Sequence, residues 1–426
     1  IKLTYNKCEK DNKLGGERNG MEFPIVCKKN QPKAKRSVLA FYVYFNYFVW
    51  GSSIILVSQF HSWFMELWHT DLKGISIVIS MLGLGHLITV LLAGWFSDKF
   101  GRKNTIIIGT ISNIIFLIGL LVSRNIWMAS ICSLFLGNAN SFNDSGSYPL
   151  LTEKFPEKPA SMNALVKASM SLSQTILPLV IAAVHSAYII IPAMAVILGL
   201  LLLKVSVTNF GKNETIVKET VSEQKEILET STNKPSVLID GVGMVILGFT
   251  LSFIFYMYSQ YAPVFAEKVI GSTPVFSKTL ISWYAISSLI SVFITSTVVR
   301  KVHPFKVLLA YSIVAAAMLA VMVVHPTPTI ARLTSIAIGF FAAGGIWQVG
   351  LTILSRYFPR EKGRVTGYYS FAAALTYFVG PIVSTFILDD TAASLVHVFV
   401  LDVAVSVLGI IVMIILAVRC FKYKFI

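Results

Sequence analysis

The chain has 426 residues, 55% of them hydrophobic and only 13% charged. With a mean hydropathy of +0.71, this excludes a soluble globular domain, which keeps about a quarter of its residues charged. The net charge of +15 does not mark a nucleic-acid binder, because the Lys and Arg residues lie between hydrophobic runs and form no single basic face.

The composition is that of an all-α polytopic membrane protein, since a chain this apolar satisfies its backbone in lipid as helices. Residues 1–36 contain no signal-peptide hydrophobic core and read as a cytoplasmic N-terminal extension. Of the four cysteines, Cys8 and Cys27 lie in that extension, Cys132 in an apolar run and Cys420 in the tail. No CxxC occurs, so neither zinc nor a disulfide framework is indicated.

Hydrophobic runs of spanning length follow at roughly 38–60, 74–96, 104–122, 126–150, 161–184, 187–207, 236–258, 279–299, 307–325, 330–353, 365–388 and 395–418. Basic residues set their orientation. Lys33, Lys35 and Arg36 precede the first run, and Lys154 and Lys158 follow the fourth. Arg300 and Lys301 follow the eighth, Arg356 and Arg360 the tenth, and Arg419 and Lys422 the last. By the positive-inside rule both termini are expected in the cytoplasm of a multi-pass plasma-membrane protein.

The only long polar interior stretch, 209–235, reads as a cytoplasmic linker between a six-helix bundle at 37–208 and a second at 236–418, with 419–426 as a tail. A register shift of 203 residues carries Phe155-Pro156 onto Phe358-Pro359 and Pro178 onto Pro381, which argues for two duplicated halves.

Between the second and third runs stands Gly94-Trp-Phe-Ser-Asp98-Lys-Phe-Gly101-Arg102-Lys103. Gly94 permits close helix approach and Gly101 a turn with positive φ. Asp98 can pair with a neighbouring cation or face a helix N-terminus. The spacing resembles the signature loop of major facilitator superfamily transporters. That resemblance implies about twelve helices in two pseudo-symmetric six-helix bundles, alternating-access transport, and a gating role for Asp98 against the start of the eleventh run near Arg364. The 203-residue shift takes Asp98 to Lys301, where no such loop stands.

Ionisable groups inside the runs are expensive in hydrocarbon and so are functional candidates. Asp144 lies about two turns before Leu150, with Asn140 one turn away on the same face and Asn138 and Asn143 beside it. It reads either as a hydrogen-bonded helix–helix node or as a carboxylate that loads and releases a proton. Lys167, in the fifth run at similar depth, can pair with it or snorkel to the interface. His86 is a second proton-coupling candidate, although a lone intramembrane histidine is more often a hydrogen-bonded packing residue than a proton relay. Asp240 and Asp402 lie near helix ends, where partial solvation accounts for them.

The segment Asp144-Ser-Gly-Ser-Tyr-Pro149 resembles the corresponding region of fucose permease-like proton symporters, which implies protonation at Asp144 alone. Candidate cavity residues are Asn46, Trp50, Asn140, Asn143, Gln174, Trp347, Gln348, Tyr256 and Gln260. Most of the other rings in the first run read as packing or interface anchors, and the stretch from Tyr256 to Tyr261 as an extracellular gate. Gly339, Gly344, Gly345 and Gly350 suit either a hinge or close packing.

The leading expectation is a monomeric secondary transporter for a small polar solute, sugar-like or a related metabolite, coupled to protons. A drug or metabolite efflux antiporter of the same fold is the alternative, although the fifth run lacks the glycine-rich proline signature of the antiporters. From another class come a transport-inactive sensor and a polytopic membrane enzyme. No catalytic constellation, Walker loop, cofactor motif or metal-ligand cluster supports an enzyme.

Overall fold

The structure, a computed structural model, describes residues 36–155, 159–208, 210, 240–299, 301–346, 349–350, 353, 362–389 and 391–423. The N-terminal extension, nearly all of the linker, Trp347, Gln348 and the side chain of Arg364 lie outside the described residues.

All described regular structure is helical: α1 (Arg36–Gln59), α2 (His61–Leu67), α3 (Leu72–Phe100), α4 (Arg102–Val122), α5 (Ile126–Lys154), α6 (Pro159–Val184) and α7 (Ala187–Val207), then α8 (Val242–Lys268), α9 (Pro274–Val298), α10 (Pro304–Val324), α11 (Pro328–Ile338), α12 (Lys362–Ile387) and α13 (Ala392–Tyr423). Ten of these are long and apolar enough to cross a membrane. At 29 residues α5 is also long enough but carries Asn138, Asn140, Asn143 and Asp144, whereas α11 with the π turn at Gly339–Ala343 makes a shorter apolar helix, Pro328–Ala343.

Helix starts follow local chemistry. The side chains of Asp71, Asn125, Thr273 and Thr327 accept the first free N–H groups of α3, α5, α9 and α11. Pro274, Pro304 and Pro328 occupy first-turn positions, where no N–H is missed. Apolar side chains such as Leu91, Trp127 and Phe386 project outward, as lipid-facing residues do.

Lipid gives apolar helices no reason to associate, so small residues and hydrogen bonds set the packing. A Cβ added at Gly85 would lie 2.2 Å from the Leu134 carbonyl oxygen, and one at Gly137 2.0 Å from that of Leu82, so α3 and α5 cross backbone to backbone. At Gly83 the same test meets the Phe378 backbone nitrogen at 2.1 Å, which seats α3 against α12. Gly339 and Gly344 press on Tyr284, Ser288 and Ser291 of α9, so the glycines of the tenth run serve close packing beside a π-turn break.

Four sequence expectations change. The second run does not end at Phe96: α3 continues through Asp98 to Phe100, and the turn expected at Gly101 makes the reversal alone at φ 89°. Gly94 mediates no close approach, because nothing lies within 4 Å of a Cβ built there. The seventh run is displaced, with α8 reaching Lys268, because Ser259 and Gln260 are buried by neighbouring helices instead of marking a wet end.

The fourth change concerns Asp240 and Asp402, which are not partly solvated. Asp240 is fully buried and accepts from Arg419 Nε at 2.8 Å and Nη2 at 3.0 Å. Asp402 is equally buried, ten residues into α13, with neither carboxylate oxygen hydrogen-bonded among the described residues.

Candidate functional site

A cavity of about 180 Å³ lies among α1, α3, α5, α6, α8, α12 and the π turn after α11. Helical spacing explains its lining. Tyr47 and Trp50 are one turn apart on α1, and Asn140, Asp144 and Tyr148 form an i, i+4, i+8 row on α5. Lys167 and Met170 stand on α6, while Ser370, Ala373, Ala374 and Tyr377 make the corresponding row on α12. His86 of α3, Phe255 of α8 and Ala343 complete it.

Asp144 is the carboxylate of this cavity. The Tyr47 hydroxyl donates to its Oδ1 in a short hydrogen bond. Tyr47 itself is buried and clasped edge-on by Trp50 at 5.9 Å and Tyr148 at 6.0 Å between ring centroids. Tyr47 is therefore no mere anchor: it fixes one oxygen of Asp144 and leaves the other to the cavity. The hydroxyls of Tyr148 and Tyr377 make no hydrogen bond among the described residues.

Lys167 reaches the same cavity but does not form an ion pair with Asp144, since no nitrogen–oxygen approach falls within 4.0 Å. Its Nζ stands over the Phe255 ring, 5.8 Å from the centroid. Of the two readings of Lys167, the pair with Asp144 is thus not formed in this state, because the helices hold the two groups on different walls of the cavity.

The other candidates divide. His86 lines the cavity, and its Nδ1 is hydrogen-bonded to Ser141 Oγ at 2.8 Å. Asn140 and Trp50 line it too, the Trp50 Nε1 having no hydrogen-bond partner among the described residues. Asn46 and Asn143 do not; Asn46 Nδ2 donates to Asn143 Oδ1 at 2.8 Å and ties α1 to α5. Asn138 turns to α4 and donates to Ser112 at 2.7 Å, so the asparagines of α5 point three ways instead of forming one stripe. Gln174 is buried outside the lining.

Tyr256 lies behind the wall, its ring 4.4 Å from that of Tyr377. Beyond it, Ser58 of α1 donates to the Gln260 carbonyl at 2.5 Å, Gln260 Nε2 donates to Ile54 O at 3.4 Å, and Tyr261 donates to Ser76 of α3 at 2.8 Å. These bonds knit α1, α3 and α8 together on one side of the cavity.

On the opposite side, where α3 meets α4, Arg102 is the hub. It donates to Asp98 at 2.7 Å, to Ser97 at 2.7 Å and to Glu153 of α5 at 3.0 Å. Lys103 donates to the Ser206 carbonyl at 2.6 Å. Asp98 thus pairs with Arg102, its side chain 76% exposed.

Sequence reasoning missed Tyr148, Tyr377, Phe255 and Glu153. Tyr148 was within reach, because it extends the Asn140–Asp144 row by one turn. The others come from distant segments, and no local spacing points to them.

With that geometry in place, three comparisons bear on it. The family model described as Major Facilitator Superfamily matches residues 37–341 and 306–421. The chain is 32% identical over 389 residues to the inner membrane transport protein YdiM of Escherichia coli (strain K12), covering 89% of this chain and 94% of that one. It is 34% identical over 374 residues to an uncharacterized MFS-type transporter, YfkL, of Bacillus subtilis (strain 168), covering 86% and 92%. Among solved structures, a D-xylose-proton symporter superposes with a TM-score of 0.71 at 14% identity, covering 89% of this chain and 97% of the other. A mutant form of the nucleoside transporter NupG superposes with 0.70 at 13%, covering 89% and 99%.

Proposed function

The chain belongs to the Major Facilitator Superfamily, and from that premise we propose that this membrane transporter carries a small polar solute by alternating access and couples it to protons. The observation that carries the reading is Asp144, an acid set on the wall of a cavity lined by seven helical elements and steadied at one oxygen by Tyr47.

Protonated, Asp144 is neutral and crosses an occluded state at little cost. Ionised, it needs water or a cation beside it. Alternating exposure to the two sides therefore turns one carboxylate into a proton carrier. The bonds joining α1, α3 and α8 act as the outer closure, and the Arg102 hub with Asp98 and Glu153 acts at the inner one. Residues 37–208 and 236–418 are the two halves that rock, joined by 209–235, with both termini in the cytoplasm and the chain in the plasma membrane.

The cavity's size favours a small solute over a drug-sized one. Its volume of about 180 Å³ lies below the roughly 300–1,000 Å³ of pockets that enclose drug-sized ligands, which counts against drug efflux. Tracer uptake into proteoliposomes holding the purified chain tests the proposal. Uptake should rise when an inward proton gradient is imposed. Uptake indifferent to that gradient in every buffer would overturn the coupling.

A further inference from the structure

Lys167 brings an ammonium group into the cavity and meets nothing there that answers it. It makes no hydrogen bond and no ion pair among the described residues, and its Nζ stands over the face of Phe255, 5.8 Å from the ring centroid. The titratable groups that face the cavity with it are Tyr47 of α1, His86 of α3, Asp144 and Tyr148 of α5 and Tyr377 of α12; α8 and the π turn add only Phe255 and Ala343. Asp144 is the sole acid among these, and its Oδ1 is held by Tyr47. A cation at this depth with no counter-charge in contact is costly, and such groups normally pair with each other or with a ligand.

We infer that the cargo is a small organic monoanion, a carboxylate, whose anionic end binds Lys167 Nζ and whose body lies against the Phe255, Tyr148 and Tyr377 rings. The inference deepens the transport reading above and rests on it for the proton at Asp144. The free hydroxyls of Tyr148 and Tyr377 offer hydrogen bonds to a hydroxylated body, and the rings offer apolar faces. At about 180 Å³, the cavity has room for a solute of roughly six water volumes.

Counting charge then yields the coupling. The empty cavity carries Asp144 carboxylate and Lys167 ammonium and is neutral. Loaded with an anion on Lys167 and a proton on Asp144, it is neutral again. With the anion alone it carries −1, and with the proton alone +1, and either charge must cross the occluded state uncompensated. The cavity therefore moves empty or doubly loaded. The proton passes from water on one side to Asp144 Oδ and from there to water on the other. No covalent bond in the cargo changes, and one anion travels with one proton without net charge.

The test uses the full chain in detergent and in proteoliposomes. Thermal stabilisation is read with a panel of small monocarboxylates (glycerate, lactate and 4-hydroxybenzoate among them), their amides, neutral sugars and zwitterionic amino acids. At least one acid should stabilise the protein while its amide does not. Lys167→Gln should weaken that binding tenfold or more, and Lys167→Arg should restore part of it. Uptake of the same acid should follow the pH gradient and ignore a potassium-diffusion potential.

A panel in which no acid binds, or in which a sugar or amino acid binds equally well to the Lys167→Gln variant, overturns the proposed cargo. Acid binding that keeps its Lys167 dependence while uptake ignores the pH gradient sinks the proton coupling instead and leaves the cargo class standing.

Discussion

Two glycines of α3, eleven residues apart, should respond in opposite ways to the same added methyl group. At Gly83 the new Cβ would lie 2.1 Å from the Phe378 nitrogen and 2.2 Å from the Tyr377 carbonyl carbon. Both are backbone atoms, and neither can swing aside. Ordinary contact begins near 3.4 Å, so α3 and α12 would have to part by about 1 Å. Overpacking of that kind costs about 1–3 kcal/mol, and because Tyr377 lines the cavity the damage should reach the site. At Gly94 nothing lies within 4 Å, and the exchange removes only a helix-weakening residue, a gain of about 0.5–1 kcal/mol.

The assay is the temperature at which the detergent-solubilised protein leaves the monodisperse peak. Gly83→Ala should lower it by several degrees, and Gly94→Ala should hold or raise it. Equal losses at the two positions would refute the backbone-contact argument, as would a stable Gly83→Ala variant.

Four further outcomes follow. Asp144→Asn mimics the protonated acid, so it should abolish accumulation driven by a pH gradient while sparing counterflow, which needs no net proton movement; a variant that still concentrates solute would return Asp144 to a structural role. Asp98→Asn should slow the cycle yet leave the melting temperature nearly unchanged, because an exposed pair with Arg102 contributes at most about 1 kcal/mol; an unaltered transport rate would remove it from the gate. Arg419→Ala removes two charge-assisted hydrogen bonds from the buried Asp240 carboxylate and should cost about 3–5 kcal/mol, whereas Asp402→Leu removes a buried acid with no hydrogen-bond partner among the described residues and should be neutral or stabilising; paired denaturation series in detergent read the contrast, and equal losses would contradict it. A cysteine at Lys212, in the linker, should resist an impermeant reagent added outside intact cells; labelling there would invert the topology.

Legibility in the sequence divides along a physical line. Membrane crossing depends on length and hydropathy, which are local, so most of the spans and their boundaries were readable. Glycine at the α3–α4 reversal was readable too, since positive φ at Gly101 is a backbone demand. Asp144 stood out because a carboxylate in hydrocarbon needs a reason. The parent family was visible in one ten-residue motif, and the match over residues 37–341 and 306–421 bears it out.

What the tertiary structure alone decided is the partnership of groups far apart in the chain. Tyr47 meets Asp144 across 97 residues, Arg419 reaches Asp240 across 179, and the cavity takes Phe255 and Tyr377 from helices that sequence spacing cannot bring to Asp144. Lys167 illustrates the same limit. Depth along a helix follows from counting residues, but the wall of a cavity that a side chain occupies depends on how each helix is rotated against its neighbours. That rotation is set by close contacts such as Gly137 of α5 on Leu82 of α3 and Gly51 of α1 on Met170 of α6, so Asp144 and Lys167 line one cavity without forming an ion pair.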